Sequence, residues 1–377
     1  MKKLDVKIAV SHKKVLSEST GEEVYDFVDL GFVLCNIFLK YNYINITDTQ
    51  LKNIEKIYDW VLENYPSENY YYISATESIQ WQGFDKFYNF LIEYCNSRGI
   101  IDKFKIFENN LGLIPTDKFK YYNSFPGMLT WNNWECVQYT PLSERNIEKN
   151  FISLNRRYKR HRFELIKFIN DENITDKFYY SFLGEDNNDP LKKTVDMENV
   201  NDGMVTEWEL PSDLNIKCFC DVVTESSDDS ILNISRDSMF KDYFKRPYGR
   251  IHITEKLGKP LVIGQPFLLL GGPGYIEKLH ELGFKTFDKW WDESYDSVWD
   301  YETRRDMVYD IIIEISKWDI EKCKSVMLEM EDILIHNHNN MQRLREKYKP
   351  FTLCAVKPIP LAYGSLENEL IIKKEGE

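Results

Sequence analysis

The chain has 377 residues, 43% of them hydrophobic and 15% aromatic, enough to bury the cores of two ordinary domains and too apolar for global disorder. Its 48 Lys and Arg stand against 61 Asp and Glu, a net charge of −13, which argues against a general binder of nucleic acid or anionic membrane but leaves room for one local basic patch. No window approaches the roughly 18 apolar residues of a membrane span, and "MKKLDVKIAVSHKK" reads as a strand instead of a signal peptide, so a cytoplasmic protein is expected.

In chain order, "KIAV" (7–10) predicts a strand. Helical apolar spacing follows over 27–41, through Phe27, Leu30, Leu34, Ile37 and Phe38, and again over 51–65, through Ile54, Ile57, Tyr58 and Val61. "YYYISA" (70–75) predicts a strand, 84–99 a helix stopped by Gly99, and "KIFENN" another strand. This βα alternation favours a Rossmann-like parallel sheet. A second unit begins near residue 150, with strands over 149–155, 177–184 and 216–226 and a helix through Phe163, Ile166 and Ile169. Further on, "QPFLLLGGPG" predicts a buried parallel strand and a glycine turn, with Pro273 in the first turn of a short helix that Gly283 ends. One long charged helix is expected over 319–347. The domains are accordingly drawn at 1–148, 149–318 and 319–377, the last a helix and tail packing back across the others.

The seven cysteines, Cys35, Cys95, Cys136, Cys218, Cys220, Cys323 and Cys354, are scattered without a C-x-x-C pair. They read as buried free thiols of a reducing compartment. No metal site is expected: "EDNNDP" (185–190) lacks a clean Asp-x-Asp, and His336 and His338 are two apart, a poor spacing for one helix face.

Two constellations carry chemistry. Arg156, Arg157, Lys159, Arg160 and Arg162 crowd a strand-to-helix turn, where backbone N–H groups and the helix N-terminus favour an anion. A diphosphate grip is expected there, although a solvated basic loop has the same composition. The second is a pair of Thr-Glu turns, "VVTESS" (222–227) and "HITEKL" (252–257). Thr254 caps the following helix, which Pro260 keeps short, and places Glu255 and Lys256 in its first turn. A carboxylate there can accept both hydroxyls of a ribose and the lysine can neutralise a phosphate. The plainer reading is a Glu that complements the helix dipole beside a solvated Lys.

"TESS", "HITEKLGKPLVIGQPFLLLGGPG" and "LGFKTFDKWWDESYD" (282–296) together resemble the nucleotide-sugar-binding half of the α1,3-fucosyltransferase-like glycosyltransferases, with viral and bacterial relatives, over roughly residues 150–320. The resemblance implies the GT-B architecture, two Rossmann-like domains facing a central cleft, and a metal-independent, inverting hexosyl- or pentosyltransferase. Its co-substrate would be a nucleotide-diphosphate sugar, GDP- or UDP-linked, with no other cofactor. Glu255 would hold the donor ribose, Lys256 the diphosphate, and one of Arg156, Arg157 or Arg160 the phosphates, with Glu225 lining the donor site. Two departures stand out: residues 228–250 are inserted between the two turns, as a lid or a surface loop, and the N-terminal part has no alignable match. The acceptor is therefore open between a glycan and a modified DNA base. Sugar transfer needs a base for the acceptor hydroxyl. Glu77, Asp85 and Glu135, near predicted strand ends, are the candidates, with Glu77 first; His12 shares that placement. Trp81, Trp131 and Trp134 could stack on a sugar or simply pack. The rival to an enzyme is a non-catalytic binding or assembly module on the same fold.

Overall fold

The computed structural model describes residues 7–10, 12–16, 23–27, 33–35, 47–64, 66, 68–74, 81–108, 111, 122–124, 138–155, 159–182, 214–225, 251–352, 356–358, 362–363 and 371–372. The fold is mixed α/β, and the chain divides into two compact units: residues 1–110, 114–130 and 348–377 form one, and 111–113 with 131–347 the other.

The first unit is built on a six-stranded sheet. Its members are β1 (Lys7–Val10), β4 (Val33–Cys35), β5 (Tyr70–Ser74), β6 (Phe104–Glu108), β7 (Tyr122–Ser124) and β12 (Val356–Pro358), in the order β12-β1-β4-β5-β6-β7. The four strands β4 to β7 run parallel, whereas β1 is antiparallel to both its neighbours. A separate hairpin pairs β2 (His12–Leu16) with β3 (Glu23–Phe27). Where residues of 27–41 are described, strand replaces the expected helix: Phe27 ends β3 and Val33–Cys35 is β4. The run of Phe, Val, Leu and Ile there suits either period, and pairing with β1 and β5 decides for strand.

Helix α1 (Asp48–Asn64) buries Ile54, Ile57, Tyr58 and Val61, and α2 (Trp81–Ser97) buries Phe87, Tyr88, Leu91, Tyr94 and Cys95. These are the i, i+3, i+4 stripes of helices that cover a sheet. Arg98 ties the two together, its Nε and Nη2 2.6 and 2.9 Å from the carboxylate of Asp59. Gly99 then turns the chain at φ 65. The strands β13 (Ala362–Tyr363) and β14 (Ile371–Ile372) form a small antiparallel pair.

The second unit carries a four-stranded, wholly parallel sheet of β8 (Lys149–Asn155), β9 (Phe178–Phe182), β10 (Cys218–Thr224) and β11 (Phe267–Leu270), in the order β11-β10-β8-β9. All seven side chains of β10 are buried, as a central parallel strand covered on both faces requires. Helix α3 (Arg160–Asp171) connects β8 to β9, and α4 (Glu255–Ile263) precedes β11. Next come α5 (Tyr275–Glu281), α6 (Tyr301–Ser316), α7 (Ile320–Glu329) and α8 (Glu331–Thr352). The expected single helix over 319–347 is thus two helices, broken by a turn at Met330. Pro273 lies ahead of α5 instead of in its first turn, because Gly274 at φ 85 is the residue that opens the helix.

Cys218 and Cys220 point into the core from one side of β10; with Cys95 and Cys323 they are free and buried, and burial holds all four thiols above their usual range. No helix among the described residues is long and apolar enough to cross a membrane.

Candidate functional site

Strand order singles out one edge of the second sheet. From β8 the chain moves outward to β9, then returns to the far side of β8 for β10 and continues outward to β11. The order therefore reverses between β8 and β10, the place where open α/β sheets take ligands at the carboxyl ends of their strands. Crossovers of the usual right hand put the helices that follow these two strands, α3 and α4, on opposite faces.

The β8–β10 ladder ends early there. Pairing runs to the last residues of β8–β9 (Asn155 with Phe182) and β10–β11 (Thr224 with Leu270), but between β8 and β10 it stops at Ile152 with Asp221. Beyond that point side chains bridge the gap. Ser153 Oγ donates to the Val222 carbonyl at 2.9 Å, and Thr224 Oγ1 donates to Asn155 Oδ1 at 2.5 Å. Asn155 also bonds Ser153 through Nδ2 at 3.1 Å, and its own N–H donates to Ser181 Oγ at 3.0 Å.

Helix α4 is held from both ends. Thr254 is its N-cap and accepts from the Lys256 N–H at 3.2 Å. Glu225, immediately after β10 and 0% exposed, braces that cap: Oε1 accepts the Thr254 N–H at 2.9 Å, and the Thr254 hydroxyl lies 2.8 and 2.9 Å from the two carboxylate oxygens. Burial pushes the Glu225 carboxyl up to about 7, against the opposing pull of Lys256 and the Thr254 N–H. Gly271 lets this carboxylate sit where it does, since a Cβ there would lie 3.3 Å from Glu225 Cβ. At the other end, the buried Arg145 donates to the carbonyls of Ile263 and Gly264, both at 2.8 Å, where a cation suits the helix dipole. Gly264 takes φ 70 against the Tyr139 ring, 2.6 Å from where a Cβ would stand, so no other residue fits.

The first turn of α4 presents Glu255 and Lys256, with side chains 18% and 25% exposed and 3.2 Å apart. Across the strand ends, the first turn of α3 contains His161 and Arg162, both buried, and no acidic residue. Burial drives the His161 imidazole down to about 3, helped by the positive charges of Arg162, Lys159 and Lys256. Lys256 is among the charges that act on His161, so the first turns of α3 and α4 lie within electrostatic reach of each other at the sheet reversal, with Glu225 and Glu255 on the α4 side.

The fate of each expected residue is uneven. Glu225, Thr254, Glu255 and Lys256 come together at this corner. Arg160 faces a surface cluster, 2.6 Å from Glu164 and 3.8 Å from Glu302. Arg156, Arg157, Glu77 and Glu135 lie outside the described residues, as do Trp131, Trp134, 185–190 and 228–250. Asp85 and Trp81 fall on α2, and His12 on β2, with side chains outside the description. His161 was not singled out by the sequence, and Arg162 stood there only as one member of the basic cluster; an i, i+3, i+4 stripe through Arg162, Leu165, Ile166 and Ile169 would have shown that Arg162 faces inward.

The glycine turn after β11 is a different kind of place. Asp296 Oδ2 accepts the Ile276 and Glu277 N–H groups at 3.1 and 3.4 Å, so the start of α5 is occupied by the chain's own carboxylate. Among the described residues no group of three or more His, Cys, Asp or Glu could hold a metal ion.

No protein-family profile matches the chain, and no curated protein sequence matches it. Among solved structures it is similar to the crystal structure of AviGT4, a glycosyltransferase involved in avilamycin A biosynthesis, at 8% identity and a TM-score of 0.33, over 81% of this chain and 79% of that chain. At that score the likeness carries no argument about fold or activity.

Proposed function

We propose that the second unit binds a nucleoside-diphosphate sugar at the β8–β10 reversal and that the protein is a glycosyltransferase of the GT-B type. The observation that carries this reading is the early parting of β8 from β10, flanked by two helix N-termini that share Lys256, Arg162 and Lys159. A diphosphate needs that combination of backbone N–H groups, helix dipoles and cations. Lys256 and Arg162 hold the diphosphate, and Glu255, beside Lys256, accepts the ribose hydroxyls. Glu225 fixes the Thr254 turn on which both stand. The first unit supplies the acceptor side. Transfer is inverting and metal-independent, to a glycan or a modified DNA base, with the acceptor proton taken by Glu77, Asp85 or Glu135.

The test is a thermal-shift panel of GDP, UDP, ADP, CMP and their sugar conjugates on wild type and Glu255→Ala. A ligand at a hundred times its dissociation constant stabilises by about 2.7 kcal/mol. One diphosphate should raise the wild-type melting temperature and do so less in the variant. A flat panel would overturn the reading, and binding without turnover of any donor would leave a non-catalytic module.

A further inference from the structure

We propose that His161 is a ligand-contacting residue of this corner, whose Nε2–H is donated to a phosphate oxygen of the bound diphosphate. The proposal rests on the nucleoside-diphosphate reading and adds a residue and a proton to it.

Three observations converge on His161. It sits in the first turn of α3, a twelve-residue helix whose N-cap, Lys159, makes no side-chain cap bond. That turn follows β8, at the strand-order reversal where the β8–β10 ladder has already ended. The side chain is 5% exposed, and its Nε2 is buried without a hydrogen-bond partner among the described residues. Native cores rarely leave such an atom unmade, and where they do a ligand is a common reason.

The charges around the ring say what kind of ligand. Arg162 and Lys159 act on it from its own helix and Lys256 from α4, where Glu255 is the companion of that lysine. A neutral imidazole among three cations repels a further cation and welcomes an anion. The same corner lies at two helix N-termini, so an incoming phosphate meets their positive ends together with the three cations, opposed on the α4 side by Glu255. Once seated, the phosphate offsets the repulsion that keeps the ring neutral. The imidazole then takes a proton from solvent and donates Nε2–H in a charge-assisted bond.

In the free protein burial and the three cations keep the ring's proton affinity low, down to about 3. The ligand raises it. Between those two values binding takes up a proton, so the share of affinity that His161 supplies grows as pH falls. A nucleotide's terminal phosphate titrates as well, and the difference between wild type and a variant without the imidazole removes that contribution.

The chain has six histidines, few enough to follow by NMR in the full-length protein with labelled histidine, using His161→Gln for assignment. Inorganic pyrophosphate, GDP, UDP and ADP are the probes, with melting temperature recorded in parallel. The expected result is a shift of the His161 ring signal on binding and a rise in its titration midpoint. His161→Gln, which keeps an N–H donor, should bind within about threefold of wild type at pH 8 but lose the extra affinity at pH 6; His161→Phe should bind roughly tenfold more weakly. If a probe stabilises the protein while the His161 signal stays fixed, the proposal is overturned and the nucleotide site stands. If no probe binds at all, both fall together. Should His161→Phe fail to fold, the wild-type NMR titration still decides.

Discussion

Strand β10 and helix α4 meet at two acid–lysine positions, one turn of helix apart, and the two are built differently. At the lower one Asp221 Oδ2 lies 2.9 Å from Lys259 Nζ with side chains 2% and 4% exposed. Asn215 and Gln265 complete it: Asn215 Nδ2 donates to Asp221 at 3.3 Å, and Gln265 Nε2 donates to the carbonyls of Asn215 and Cys218 at 2.9 and 3.0 Å. At the upper one Glu225 gives both oxygens to Thr254, and Lys256 is left half-exposed beside Glu255. The lower pair is sealed and needs nothing from outside. The upper lysine pairs with Glu255 at 3.2 Å, in a position that stays partly open to solvent. Placing like residues at two points along one strand does not make both of them sites; what separates them is burial, complete for the lower pair and partial for the upper.

The largest expected effect comes from breaking the sealed pair. Lys259→Met leaves Asp221 buried without its counter-charge and should destabilise by about 3–5 kcal/mol in urea denaturation. The loss should be greater at pH 8 than at pH 5, because burial already raises the Asp221 carboxyl and only its ionised form suffers. Adding Asp221→Asn should recover much of it. A Lys259→Met protein as stable as wild type would mean that the lower pair is as open as the upper.

Lys256→Met sharpens the contrast from the other side. Stability should move by no more than about 0.5 kcal/mol, as for other partly exposed positions, while the melting shift produced by the responding nucleoside diphosphate is largely lost. Equal destabilisation by the two lysine variants would mean that the upper lysine is as enclosed as the lower.

Glu225 tests the brace. Its folded-state carboxyl lies at about 7, above the ordinary value of 4.5, so its contribution is fully present below pH 4.5 and is lost as pH rises through 7. Glu225→Gln keeps an acceptor for Thr254 and cannot ionise, so the fall in stability between pH 5 and pH 8 should flatten, by on the order of 1–3 kcal/mol. An unchanged pH profile would show that Glu225 is not the titrating group. Smallest of all, Gly271→Ala should cost about 1 kcal/mol from the close approach to Glu225 Cβ, seen as a small drop in melting temperature.

Much of the second unit was legible in the sequence because local signals agreed there. "KNFISLN" is strand β8 residue for residue, and Thr254 caps α4 as the Thr-Glu pattern predicts, with Pro260 inside a helix of only nine residues. The first unit was less legible where an apolar run fits both periods, and there the described residues of 27–41 are strand, in β3 and β4, instead of the expected helix. The basic turn was visible as a cluster, but its composition could not say which side chains turn inward. Arg160 pairs with Glu164, four residues on, whereas Arg162 is buried.

Sequence alone determined the alternation of strand and helix, the cap of α4 and the nearness of Glu255 to Lys256, since each depends on neighbours within a turn or two of chain. Tertiary structure decided the order β11-β10-β8-β9, the early parting of β8 from β10, and the meeting of His161 with the charge of Lys256, 95 positions away. It also gave the α5 N-terminus to Asp296 and the N-cap of α4 to Glu225. Strand order and counter-charge are contacts between distant segments, and no local propensity encodes them.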